Sequence, residues 1–257
     1  MPVTKLIDTH CHLDFIDFDK DRNEVINRAI QNNISDIIIP AVSAGNWLKI
    51  QTLCKQQKML HPCYGLHPYW TDQHKKSDIQ KLEIFIQQNT CIAIGECGLD
   101  YRPEQADKKK QQYFFEAQLD IAKQKKLPVI IHSVRATEDV IQQLRTRPTL
   151  RGMIHSYSGS YEQALQLIEM GFYISLSGAI TYDHATRLRD IARKLPLSTL
   201  LIETDAPDQA DTLHRGERNE PAYLVEVLKT LAQLRKEDQE HIAQQLSINI
   251  KSLFNIT

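Results

Sequence analysis

The sequence predicts one (β/α)₈ TIM barrel with an extra C-terminal helix, spanning residues 1–257 as a single domain. The length of 257 residues matches the roughly 250 residues typical of such barrels. Short apolar runs alternate with amphipathic segments, as in parallel βαβ units. Eight such runs end at intervals of 22 to 36 residues, close to the 31 or so that each unit of a barrel occupies.

The eight predicted strands are the short apolar runs. They cover residues 5–10, 36–42, 60–66, 91–96, 128–132, 152–155, 172–177 and 199–205. Barrel enzymes hold their catalytic residues at the carboxyl ends of the strands. Polar residues at the ends of these runs are therefore candidates for the active site.

The segments between the strands are predicted helices. Residues 105–126 place their apolar side chains on one stripe, as an amphipathic helix does. Ser160 and Gln163 have the spacing of a capping box. The chain beyond Pro221 predicts two helices, and the second, near 237–254, is the extra terminal helix.

Composition and charge narrow the function classes. Apolar residues make up 42% of the chain and the net charge is −1. Such a chain has no global positive field, so any contact with nucleic acid is local. The N-terminus does not resemble a signal peptide, and no apolar run approaches the roughly 20 residues of a membrane span. We expect a cytoplasmic protein with no membrane association and no stable protein partner.

The cysteines predict buried thiols rather than metal ligands. Their odd number, five, and the absence of a CxxC pair argue against a disulfide framework. Cys11 and Cys97 adjoin candidate ligands, but successive side chains on a strand point to opposite faces. We expect both thiols to face away from the barrel interior.

Six potential metal ligands end five of the predicted strands. They are His10, His12, Glu96, His132, His155 and Asp205. Two histidines one residue apart on a strand lie on one face and can bind the same ion. A buried carboxylate is costly unless it has a partner, and between two cations it can bridge them. Each residue alone could be an ordinary core or rim residue, but together they predict a binuclear metal site.

The ligand pattern also favours a closed barrel over a doubly wound open sheet. His10 and Asp205 end the first and the last strand. An open sheet would hold those two strands far apart, whereas a barrel makes them neighbours.

Several motifs resemble those of the TatD-type metal-dependent deoxyribonucleases, a family of amidohydrolase-like barrels. The motifs are THCHLD, GLHP, IGECGLDY, PVIIHS, IHSYSGS and ETDAP followed by RNEP, and they extend over nearly the whole chain. The resemblance implies that one ion binds His10, His12, Glu96 and Asp205, and that the other binds Glu96, His132 and His155. It also implies hydrolysis of phosphodiesters at DNA ends, usually with magnesium or a transition metal.

The chain departs from the family pattern in three places. Arg135 stands one position later than the family's usual Arg after the histidine of PVIIHS, which removes support for an Arg–phosphate contact there. Tyr157 stands where the family often has Phe, and Cys97 replaces an apolar residue.

The expected chemistry is attack of a metal-activated water on the phosphorus of an ester. Two cations lower the pKa of a bound water, and Asp205 is the predicted base because its carboxylate is ionised at neutral pH. The alternative is that Asp205 is a ligand only. Asp8 and Glu203 share strand parity with ligands, so we expect them to orient a ligand imidazole or to form a salt bridge in the core.

Three residues are predicted substrate contacts. The family resemblance places His67 at the mouth of the barrel, near a phosphate or the leaving group. Arg215 and Arg218 follow the last strand and suit phosphate. The alternative is a solvated loop in which they pair with Glu217 and Glu220.

The predicted function is a metal-dependent hydrolase of ester bonds, a deoxyribonuclease acting on DNA ends or single strands. Its substrate is DNA or a small phosphoester, and its cofactors are two divalent ions per subunit, chosen among Zn, Mn, Mg, Ni and Co. One alternative is a hydrolase of small esters, lactones or amides on the same barrel, because a fold does not determine a substrate. Another is a non-catalytic metal-binding scaffold, which the complete ligand set argues against.

Overall fold

The computed structural model describes residues 4–105 and 107–256. In this part of the chain, eight parallel strands alternate with helices, and the strands are neighbours in chain order from β1 to β8. This architecture confirms the predicted (β/α)₈ class.

The strands lie close to the predicted positions. They are β1 (Leu6–Asp8), β2 (Ile34–Pro40), β3 (Leu60–Tyr64), β4 (Ala93–Asp100), β5 (Val129–Val134), β6 (Gly152–Ile154), β7 (Phe172–Leu176) and β8 (Leu200–Ile202). The helices of the described residues are α1 (Arg22–Gln31), α2 (Trp47–Gln56), α3 (Ser77–Gln88), α4 (Lys108–Lys125), α5 (Thr137–Arg145), α6 (Tyr161–Glu169), α7 (Thr186–Lys194), α8 (Leu224–Arg235) and α9 (Gln239–Phe254).

β4 and β8 end furthest from their predicted ends, while the other strands end within two residues of theirs. β4 continues past Glu96 to Asp100 because Gly98 lets β5 approach closely: a Cβ on Gly98 would lie 2.0 Å from the carbonyl oxygen of His132. β8 ends at Ile202, before the predicted 205, because the chain then turns and Asp205 adopts a left-handed φ of 59°.

The chain divides into two compact units, each described by itself. The first unit contains the described residues up to Ile39 and from Ile174 onward. Within it, the first and last strands lie side by side, since Thr9 N donates to Ile202 O and Asp205 N donates to His10 O at 2.8 Å. This pairing brings the carboxyl ends of β1 and β8 together, as the sequence predicted for His10 and Asp205.

The extra C-terminal helix packs inside the first unit. Asn249 on α9 is buried, and its amide donates to the carbonyls of Leu197 and Leu200, at 2.9 and 2.8 Å. These bonds attach α9 to the segment that leads into β8. The predicted terminal helix is therefore confirmed, beginning at Gln239 rather than near 237.

The second unit contains residues Pro40–Tyr173. Two buried amides on α4 secure strand ends in this unit. Gln111 exchanges hydrogen bonds with the backbone of Asp100, and Gln118 does the same with the backbone of Leu66. The predicted capping box at Ser160 is present at the start of α6.

The cysteines next to the ligands face the core. Cys11 and Cys97 are both 0% exposed, and the Cys97 thiol lies 3.7 Å from the carbonyl oxygen of Ile130. The prediction of buried thiols at both positions is confirmed. Among the described helices, none is both long and apolar enough to cross a bilayer.

Candidate metal centre

Three predicted ligands form a cluster in the first unit. We call His10, His12 and Asp205 the first cluster. The two Nε2 atoms lie 3.2 Å apart, and Asp205 Oδ1 lies 3.4 Å from His10 Nε2 and 3.7 Å from His12 Nε2. Ligands of a tetrahedral ion bound at about 2.1 Å are about 3.4 Å apart. The three donor atoms therefore have the spacing of ligands to one ion.

Backbone pairing between the end of β1 and the turn after β8 positions the first cluster. His12 N donates to Ala206 O at 2.8 Å, and Cys11 and Ala206 form a parallel bridge. The His12 ring also stacks on Phe15, with centroids 4.6 Å apart. The imidazoles and the carboxylate are consequently attached to one hydrogen-bonded frame.

Asp205 has a strained backbone that its surroundings stabilise. Its φ of 59° lies in the left-handed region, which non-glycine residues adopt at a cost and often at functional sites. Gln209 donates a hydrogen bond from its side chain to Asp205 Oδ2. Asn219, 2% exposed, donates to Thr204 O and Asp208 O at 2.9 and 2.7 Å. The turn that carries Asp205 is thus held on both sides.

Asp8 and Glu203 are both fully buried, as their strand parity predicts. Asp8 accepts hydrogen bonds from the backbone N–H groups of His10 and Thr204 and from the Thr204 hydroxyl, so it joins the ends of β1 and β8. Glu203 accepts a hydrogen bond from Ser175 Oγ at 2.6 Å. An oxygen of Glu203 also lies within 4.8 Å of a ring nitrogen of His10.

The second unit holds the other predicted ligands. We call His67, Glu96, His132 and His155 the second cluster. Glu96 Oε1 lies 2.9 Å from His67 Nε2, 3.0 Å from His132 Nδ1 and 2.8 Å from His155 Nε2. His132 Nδ1 and His155 Nε2 are 3.1 Å apart. One carboxylate oxygen thus faces three imidazoles at nearly equal distances.

His132 has the tautomer that a metal ligand requires. Its Nε2 lies 3.1 Å from Asp100 Oδ2, and a carboxylate there accepts the Nε2 proton. The lone pair of the neutral ring is then on Nδ1, which faces Glu96 and His155. This pairing of a carboxylate with a ligand imidazole recurs in metal sites.

The local field of the second cluster favours positive charge. Burial acts to raise the pKa of Asp100, but hydrogen bonds with His132 and Arg102 outweigh it and hold that pKa well below its usual range. For His132, burial acts to lower the pKa, and the hydrogen bonds with Asp100 and Glu96 outweigh it and raise it. A site with this field and these donors fits a divalent cation.

His67 has the opposite tautomer. Its Nδ1 accepts a hydrogen bond from Tyr69 N at 2.9 Å, so in the neutral ring the proton is on Nε2. That Nε2 faces Glu96 and therefore acts as a donor. A ring held in this way suits a hydrogen bond to a carboxylate or a phosphate oxygen better than a bond to a metal.

The two predicted arginine contacts lie in different surroundings. Arg218 makes a bidentate ion pair with Asp21, at 2.8 and 2.7 Å, and covers the ring of Phe18. Asp21 is the N-cap residue of α1, so this ion pair connects the loop after β8 to the start of that helix. Glu220, on the same loop, forms an ion pair with Arg28 at 2.6 Å. Arg215 is exposed on the same loop.

Sequence reasoning missed two residues that act on the ligands. Asp100 binds His132, and Gln209 binds Asp205. Strand parity could have identified Asp100, because Glu96, Gly98 and Asp100 share one face of β4. Nothing in the local pattern distinguishes Gln209, which reaches its partner across a turn with φ of 52° at its own backbone.

Comparison with known proteins agrees with this geometry. The profile of TatD related DNases matches residues 7–255. The metal-dependent hydrolase YjjV of Escherichia coli K12 is 36% identical over 99% of both chains, and YabD of Bacillus subtilis 168, also a metal-dependent hydrolase, is 32% identical over 98% of this chain and 99% of its own. The crystal structure of E. coli YjjV, a TatD homolog, superposes with a TM-score of 0.95 at 35% identity, over 98% of both chains. The chain therefore belongs to the TatD-related DNase family of metal-dependent hydrolases.

Proposed function

We propose that this protein is a deoxyribonuclease that hydrolyses phosphodiesters at DNA ends or in single strands, with one binuclear metal site in a single domain. In this proposal the two clusters would together hold two divalent ions, with Glu96 in both ligand sets. His10, His12, Glu96 and Asp205 would hold the first ion. Glu96, His132 and His155 would hold the second ion.

The observation that carries the proposal is the position of Glu96. Its Oε1 lies 2.8 Å from His155 Nε2 and 3.0 Å from His132 Nδ1. The side chain is 1% exposed, and a carboxylate buried this deeply among imidazoles is costly without cations. Bridging two cations removes that cost.

The residues of the chain have distinct roles in the proposed reaction. Two bound divalent ions supply an activated water and neutralise charge on the phosphate. Asp205 would accept a proton from the attacking water, and the hydrogen bond from Gln209 fixes the direction of its carboxylate. His67 would donate from Nε2 to a phosphate oxygen in place of Glu96, which Nε2 faces at 2.9 Å. Exposed Arg215 contributes a local positive charge.

The proposed substrate is short because the chain carries no net positive charge. A net charge of −1 gives little of the counterion release on which binding to a long duplex depends. Contact with a few nucleotides at an end or in a single strand does not need that field. The family name supports DNA as the polymer, and the two clusters support the ester chemistry.

The deciding experiment compares substrate classes on one metal-loaded preparation. We would measure metal content, then hydrolysis of labelled single- and double-stranded DNA beside a panel of small esters and lactones, with Zn, Mn, Mg, Ni and Co. We expect cleavage of DNA ends or single strands. Fast lactone cleavage without cleavage of DNA under any metal would overturn the proposal and favour the small-ester alternative.

A variant pair tests the role of Asp205. Asp205→Asn keeps an oxygen ligand but loses the base, so we expect partial metal retention and loss of turnover by at least about a hundredfold. Asp120→Asn is the matched control, since Asp120 is an exposed residue of α4 paired with Arg147. Near-normal turnover in Asp205→Asn would show that Asp205 is a ligand only.

A further inference from the structure

An open cleft of about 440 Å³ lies beside Asp205, wholly within the first unit. The loop after β7 forms one wall with Tyr182 and His184, and the loop after β8 forms the other with Pro207, Asp208, Gln209 and Glu217. Gln209 also donates a hydrogen bond to Asp205 Oδ2. The cleft therefore opens next to the carboxylate proposed as the base.

The walls of the cleft are firmly held. Tyr182 donates from its hydroxyl to Ala210 O at 3.0 Å, which ties the two loops together. The ring of His184 lies 5.4 Å from the ring of Tyr182, centroid to centroid. Behind them Arg189 donates to Ile180 O and pairs with Asp183. The two rings are inclined at 57° to each other, so a flat ligand can stack on one of them while it contacts the other at an edge.

The charge of the cleft excludes a phosphate. Asp208 and Glu217 both line it, while none of its described lining residues is Lys or Arg. The cleft suits an uncharged, flat group that donates hydrogen bonds to carboxylates.

We propose that this cleft binds the nucleobase next to the scissile phosphodiester and favours bases that carry an exocyclic amino group. The inference rests on the proposed nuclease function, because it concerns the substrate of the same site. The base stacks on the exposed ring of His184, as bases do on aromatic side chains, and meets the tilted ring of Tyr182 at its edge. Its amino group donates to Glu217 or Asp208, the pairing by which Asp and Glu recognise cytosine. Thymine has no amino group and fits less well.

The test uses the metal-loaded protein and three chromogenic diesters. They are the 4-nitrophenyl esters of deoxycytidine 5′-monophosphate and of thymidine 5′-monophosphate, and bis(4-nitrophenyl) phosphate, which has no base. We expect KM to be lowest for the deoxycytidine ester, by at least about fivefold relative to the diester without a base, the smaller end of what one stacked base contributes. Free deoxycytidine should also inhibit competitively more strongly than thymidine.

Two variants locate the preference in the cleft. His184→Ala removes part of the stacking wall and Glu217→Gln removes the carboxylate acceptor; both residues are exposed, so neither change leaves a cavity in the core. We expect His184→Ala to reduce about fivefold the advantage in KM that both nucleotide esters have over the diester without a base. We expect Glu217→Gln to reduce the ratio of KM values between the two nucleotide esters by about fivefold. His241→Ala on α9 and Glu24→Gln on α1 are matched exposed controls and should leave the ratios unchanged.

The outcomes separate the two proposals. If the metal-loaded wild-type protein cleaves neither DNA nor any of the three diesters, the proposed function fails and the inference fails with it. If it cleaves DNA but none of the three diesters, the inference alone is overturned. If it hydrolyses all three with one KM, or if the cleft variants keep the wild-type ratios, the inference is overturned while the proposed function stands.

Discussion

Asp100 Oδ2 lies 3.1 Å from His132 Nε2, on the side of the ring opposite the nitrogen that faces Glu96. The Arg102 guanidinium donates hydrogen bonds to the same carboxylate through Nε and Nη2. This ion pair holds the Asp100 side chain in place. This relationship fixes both the tautomer and the orientation of His132. It therefore assigns Asp100 a positioning role that acts on metal binding.

The first prediction concerns this pair. Asp100→Asn keeps the shape of the side chain but removes the charge that accepts the His132 proton. We expect the affinity of the second cluster for divalent ions to fall about 10- to 100-fold, measured by competition with a chromogenic chelator. Asp72→Asn, an exposed partner of Lys110, is the control. Unchanged affinity in Asp100→Asn would contradict the assignment.

The second prediction concerns the close approach of β4 and β5. Gly98 has a φ of 144°, and a Cβ there would lie 2.0 Å from His132 O. Gly98→Ala must push the strand that carries His132 away, so we expect a loss of about 3 kcal/mol in the free energy of unfolding together with weaker metal binding. Gly171 also has positive φ, at 86°, but open space around it.

Gly171→Ala is therefore the matched control for Gly98→Ala. It carries only the conformational cost of a left-handed alanine, about 1 kcal/mol, and we expect normal metal binding. Denaturant unfolding and the chelator assay on both variants check the pair. Equal losses in the two variants would show that the contact with His132 O has no special importance.

The fold was predictable because each strand is a short apolar run and each run ends near a turn. The candidate ligands could be selected for a related reason: His10 and His132 are polar residues that follow apolar runs, and they contrast with the apolar residues before them. Both predictions use only neighbouring residues, because successive side chains on a strand alternate between its two faces. The extension of β4 was missed because Gly98 interrupts the apolar run without interrupting the strand.

Tautomers and partners across loops were not predictable in this way. Whether His67 or His132 presents a lone pair depends on a backbone N–H of Tyr69 and a carboxylate of Asp100, respectively. Likewise, Arg218 pairs with Asp21, 197 residues away. These contacts depend on the assembled fold, and one sequence contains no periodic signal for them.

The third prediction separates the two arginines after β8. Arg218 is engaged by Asp21, so Arg218→Ala should lower the free energy of unfolding by about 1 kcal/mol. Arg215 is exposed, so Arg215→Ala should raise KM for diester substrates about fivefold with unchanged stability. Denaturant unfolding and steady-state kinetics on both variants check this. A larger KM effect in Arg218→Ala would favour Arg218 as the phosphate contact.

The pH dependence of that stability difference follows from Asp21. The hydrogen bond from Arg218 lowers the pKa of Asp21 below its ordinary value of 3.8. A carboxyl whose pKa is lower in the folded state contributes stability above its unfolded pKa and loses it as pH falls through the folded pKa. The difference in free energy of unfolding between the wild type and Arg218→Ala should therefore have its full value at neutral pH and decrease below about pH 4.

The last prediction concerns Asn219, which supports the turn that carries Asp205. Its amide donates to Thr204 O and Asp208 O, and its Oδ1 accepts from Glu220 N. Asn219→Ala leaves these buried groups without that partner, which should cost about 2 to 4 kcal/mol of unfolding free energy. The left-handed backbone of Asp205 loses support as well, so we expect kcat to fall at least about tenfold.

Asn249→Ala distinguishes positioning from a general loss of stability. Asn249 is also 2% exposed and donates to two backbone carbonyls, of Leu197 and Leu200. Those partners lie before and at the start of β8, away from the turn at Asp205. We expect a similar loss of stability in this variant but a kcat close to that of the wild type, both measured well below the unfolding temperature. If the two variants lose kcat equally, Asn219 stabilises the fold without positioning Asp205.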